Sequence, residues 1–93
     1  MQKISVETWP RLTELEKLFY EKNSYENLLA YMTNNRIMNT STYFEEYQAL
    51  METYYTLCRQ LEKEIIIPVV GEEPVNWEVD FIDKVVEIRE ATK

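Results

Sequence analysis

Two hydrophobic periods divide this chain, and the point where one gives way to the other constrains its fold most. Up to about residue 64 apolar side chains recur at steps of three and four, the spacing of one helix face. From Val75 they alternate with polar residues, the spacing of a strand with one buried side. Between them stands Ile65-Ile-Ile-Pro-Val-Val70, whose β-branched residues and Pro68 predict an edge strand or extended connector, because proline cannot donate to a helix ladder. The prediction is an α+β fold in one domain over 1–93. It has an N-terminal helical segment over 1–40, a long helix within 41–64 and a β segment over 65–93.

In the first regime Pro10 suits an opening helical turn, and Trp9, Leu12, Leu15 and Phe19 form one apolar stripe. Tyr25, Leu28, Leu29 and Met32 start a second stripe out of phase with it. With Ser24 as a cap, Asn23-Ser24 predicts a break or kink, so the helical part has two or three helices. Thr42-Tyr-Phe-Glu45 reads as a capping box. Phe44, Tyr47, Met51, Tyr54, Cys58, Leu61 and Ile65 then make a seam at heptad spacing, which places the longest helix at about 43–64.

After a turn at Gly71-Glu-Glu-Pro74, the alternation of Val75, Trp77, Val79 and Phe81 predicts an antiparallel hairpin over about 75–90. A turn at Asp83-Lys84 would pair Val79 with Ile88 and Glu78 with Arg89, and would set Asp80 against Glu87. A hairpin of two strands is marginal alone. Its edge needs cover, either from 65–70 or from a second copy of the chain.

Composition narrows the function. The 93 residues include no histidine and a single cysteine. No Ser-His or Cys-His nucleophile pair, thiolate zinc cluster or cysteine-ligated iron–sulfur centre can be built from them. Adjacent carboxylates (Glu45-Glu46, Glu72-Glu73) read as capping or solvated surface, and nothing has the spacing of a calcium loop. The sequence therefore predicts a non-enzyme with no catalytic residues, no metal and no cofactor.

The net charge of −7 is carried entirely by residues 41–93, while residues 1–40 balance. That acidity disfavours nucleic acid and an anionic membrane as partners and admits a basic protein. The longest apolar run, 65–70, is far shorter than a membrane span. The start of the chain lacks the apolar core of a signal peptide, and with a lone cysteine this predicts the cytoplasm.

Five residues stand out as candidates for binding a partner. Tyr43 and Tyr55 lie off the helix seam, where an interface and a water-tipped surface are both open readings, whereas Tyr47, Tyr54 and Cys58 lie on it as core. Trp77 is either core or an exposed anchor. Asp80 and Glu87, if opposed, would welcome a lysine or arginine from a partner. The sheet edge could also recruit an extended peptide.

Two blocks carry a resemblance. Leu18-Phe-Tyr-Glu-Lys-Asn-Ser-Tyr-Glu-Asn-Leu28, and Asn76-Trp-Glu-Val-Asp-Phe81 followed by Val86-Glu-Ile88, resemble the small CXXX repeat peptide modification system proteins. These are encoded beside radical-SAM maturases and precursors with cysteine at every fourth residue. Val85 and Val86 depart from the pattern, which has a cysteine or a more polar residue there. The resemblance implies a non-catalytic accessory protein that holds the precursor peptide or the radical-SAM maturase, and a homodimer is compatible with it. The alternative is an acidic inhibitor or antitoxin-like protein that covers the basic site of a nucleic-acid enzyme.

Overall fold

The computed structural model describes residues 2–36 and 41–89. In chain order it contains β1 (Gln2–Ser5), α1 (Leu12–Asn34), α2 (Ser41–Leu61), a π-helical stretch (Glu62–Ile66), α3 (Ile67–Val70), β2 (Asn76–Asp80) and β3 (Val85–Arg89). Two helices, one of them running 30 residues from α2 through α3, and a small antiparallel sheet make this the α+β fold that the two periods predict. The chain divides into two compact units: Met1–Leu12 with Arg59–Lys93, and Thr13–Cys58.

The first unit holds the sheet, with strands in the order β1-β3-β2 and both pairings antiparallel. Trp77 and Val79 of β2, Val86 and Ile88 of β3 and Ile4 of β1 share one face, while Lys3, Glu78, Glu87 and Arg89 share the other. Val86 is fully enclosed, and Val6, Trp9, Leu12, Leu61, Ile66 and Ile88 are buried in the same unit. Each such aliphatic side chain contributes about 1.5–3 kcal/mol by leaving water. Both tryptophans tie into the π-helical stretch: the Trp9 indole donates to Glu64 Oε1 and the Trp77 indole to Glu62 Oε1, each at 3.3 Å.

The second unit is a pair of helices joined by side chains. Phe19 meets Tyr54 with ring centroids 6.4 Å apart, and Lys22 Nζ lies 5.1 Å from the Phe19 centroid and 5.5 Å from that of Tyr54. Further along, Tyr25 donates to Glu46 at 2.8 Å and Tyr47 donates to Glu26 at 2.7 Å. Residues late in α1 thus meet residues early in α2, the pattern of an antiparallel helical hairpin. Leu15 and Leu57 are its buried side chains among the described residues.

Several expectations are corrected. Residues 65–70 are helical, with neither a strand nor an extended connector there. The Ile67 N–H reaches back five residues to the Glu62 carbonyl, so the wider π turn precedes Pro68, which then opens a last α turn where its missing N–H breaks the ladder least. Gly71, at φ 86°, ends that turn by donating to the Ile67 carbonyl at 2.9 Å, in a backbone region that other residues seldom adopt. There is no break at Asn23-Ser24: α1 is continuous, and Ser24 Oγ donates to the Tyr20 carbonyl at 3.1 Å within it. Thr42 lies inside α2, which has already begun at Ser41, so the Thr42/Glu45 pair does not mark its start.

The N-terminal segment, read as helical with no strand, opens with β1. Pro10 sits ahead of the helix, at the second position of a turn closed by the Leu12 N–H on the Trp9 carbonyl at 3.2 Å. The hairpin register differs from the expected one by two residues: Val79 faces Val86, Asp80 faces Val85, and Glu78 faces Glu87. A shift of two preserves which side chains face the core. It lengthens the turn to Phe81–Lys84, with Lys84 at φ 55°.

Candidate functional site

β3 is paired on both sides, so the open edges of the sheet belong to β1 and β2. The cover that the hairpin needs comes from the chain's own N-terminus. Where β2 begins, the first unit also forms a cleft of about 240 Å³. It arises because the helix persists through the π-helical stretch and α3, then reverses at Gly71 so that Val75 and Trp77 return beside Ile66 and Ile67. Its apolar lining includes Ile66, Pro74 and Trp77, and the carboxylate-bearing residues Glu62, Glu72 and Glu73 line it as well. Glu62 accepts the Trp77 indole N–H, which holds the ring in place at this mouth.

Each candidate residue has a definite position. Trp77 is half-buried on the apolar face of β2, neither deep core nor free anchor. Asp80 and Glu87 are not opposed, so the repulsion expected between them does not arise. Asp80 instead shapes the hairpin turn: its Oδ1 accepts from the N–H of Ile82 at 2.9 Å and of Asp83 at 3.0 Å. The Asp83 N–H is the largest influence holding the Asp80 carboxyl below its ordinary range. Glu87 faces Glu78, and the chain supplies its own cations, Lys3 at 3.9 Å from Glu87 and Arg89 at 3.6 Å from Glu78.

Tyr43 and Tyr55 are exposed, at 40% and 51%. About three turns apart, they sit roughly 120° from each other around the α2 axis and do not share one face. Tyr47 and Tyr54, expected in the core, are half-buried. The hydrogen bond to Glu26 raises the Tyr47 hydroxyl to about 12, and burial raises that of Tyr54, with Cys58 beside it. Cys58 is half-buried as well, and the fully packed positions of this helix are Leu57, Leu61 and Ile66, partly off the expected seam. Phe44, on that seam, is 48% exposed.

The cleft itself was not legible in the sequence. Glu72 and Glu73 read as solvated turn residues, and the one available signal was the apolar Ile65–Val70 run ending in glycine, glutamates and proline. Among the described residues no three histidine, cysteine, aspartate or glutamate side chains converge as metal ligands, and no helix is long and apolar enough to cross a membrane. No family model, no curated protein and no solved structure matches this chain.

Proposed function

We propose that this chain is a non-catalytic accessory protein of the cytoplasm that holds an extended peptide client by adding it as a strand to β2. The observation that carries this reading is the sheet order. β1 and β2 both flank β3, and the β2 edge runs into a cleft that can take a side chain. Main-chain hydrogen bonds along such an edge give affinity, and a pocket beside it gives selectivity. The resemblance to CXXX repeat peptide modification proteins supplies the client class: a ribosomally made, cysteine-rich precursor, presented to a radical-SAM maturase that performs the chemistry.

The test is a titration of the isotope-labelled protein with a synthetic precursor carrying cysteine at every fourth residue, in the presence and absence of the maturase. Binding that slows hydrogen exchange of the amides over 76–80 is the expected outcome. Binding that leaves those amides unchanged, or no binding by precursor or maturase, overturns the proposal.

A second reading has support in the exposed glutamates Glu72, Glu73 and Glu78, which lie near one another in sequence. An acidic inhibitor of a basic nucleic-acid enzyme would use such a surface. Its complex would weaken steeply with added salt, whereas main-chain pairing along β2 would not.

A further inference from the structure

We infer that the cleft beside β2 receives the arginine or lysine side chain of a segment docked along that strand. The inference rests on the strand-addition reading and adds what it leaves open, the chemistry of the client residue that is selected. Size is the first argument: about 240 Å³ lies below the roughly 300–1,000 Å³ of ordinary small-molecule pockets and suits a single side chain.

Charge is the second. Glu62, Glu72 and Glu73 line the cleft, no lysine or arginine is among its lining residues, and the whole of the net charge of −7 lies in 41–93. A guanidinium, whose several donors reach separate acceptors, suits carboxylates placed at different points of one lining. The ring is the third. Trp77 lines the same cleft with its N–H committed to Glu62, and an indole face attracts a cation while packing along an aliphatic stem. A neutral side chain gains the packing alone, and an acidic one meets like charge.

The experiment uses two capped pentapeptides of valine and threonine that differ only at the centre, one with arginine and one with its neutral isostere citrulline. Each is titrated into the full chain, followed by tryptophan fluorescence and by the amide signals of 76–80. The arginine peptide is expected to bind about tenfold more tightly. In the exposed double variant Glu72→Gln, Glu73→Gln that difference should shrink to about twofold, with citrulline binding unchanged. Equal affinity for the two peptides overturns the cationic cleft and leaves strand addition standing. A preference that survives undiminished in the double variant also overturns it, because the cation would then be bound elsewhere. If neither peptide perturbs the amides of 76–80, the edge reading falls and the inference falls with it.

Discussion

The indole N–H of Trp77 donates to Glu62 Oε1 at 3.3 Å, joining the first hairpin strand to the π-helical stretch fifteen residues earlier. Trp9 makes the equivalent bond to Glu64, so the two tryptophans of the chain hold carboxylates of the same irregular turn. π-Helical turns are rare and cluster at functional sites. Here the turn places Glu62 at once on the cleft and on the ring that lines it.

Trp77→Ala should therefore lower stability in urea unfolding by about 2–3 kcal/mol, less than the 3–5 typical of a fully buried tryptophan, because Trp77 is half-buried. Trp77→Phe keeps a ring but loses the donor, and should cost about 1 kcal/mol. Equal losses for the two variants would show that ring packing is not what the site supplies.

Tyr47 offers a titration in the second unit. Its hydroxyl is raised from 10.0 to about 12, first by the hydrogen bond to Glu26 and then by desolvation. A folded-state value above the unfolded one means that this contribution is fully present below about pH 10 and is lost as the pH rises through about 12. Tyrosinate absorbance should show late-titrating groups, Tyr54 among them, and one fewer of these in Tyr47→Phe. That variant should also lose stability less steeply than the parent across the same alkaline window.

Gln60 Oε1 is enclosed and meets no hydrogen-bond donor among the described residues. An acceptor withheld from water without a partner costs about 1–3 kcal/mol. Gln60→Met, close in shape and without that demand, should raise the urea midpoint by the equivalent of about 1 kcal/mol at unchanged slope. A lowered midpoint would show that the glutamine amide makes a compensating contact.

The helical and strand regimes were legible because their signals are local. Leu12 and Leu15 lie on one face of α1 and are both buried, and Val86 and Ile88 alternate into the core as their spacing predicts. Where the reading failed, a distant partner or a rare backbone form was responsible. Gln2–Ser5 is too short to announce itself as a strand, and its partner β3 lies at the opposite end of the chain. Ser24 has the chemistry of a cap, yet its hydroxyl bonds back to Tyr20 and the helix passes through. The candidate site divides in the same way. The exposure of Tyr43 and Tyr55 agrees with their positions off the seam, whereas the cleft depends on Pro68 standing in a helix, which local propensity argues against.

By itself the sequence determined the fold class, the core face of each hairpin strand and the lack of any histidine- or thiolate-based centre. Those properties follow from side-chain type and period, and even a two-residue error in register leaves them intact. Only the tertiary structure decided that β1 flanks β3, that Glu78 rather than Asp80 faces Glu87, and that 65–70 stays helical long enough to build a cleft against Trp77. Strand order, register and a π turn are settled by which distant surfaces bury one another, and no local window of residues contains that choice.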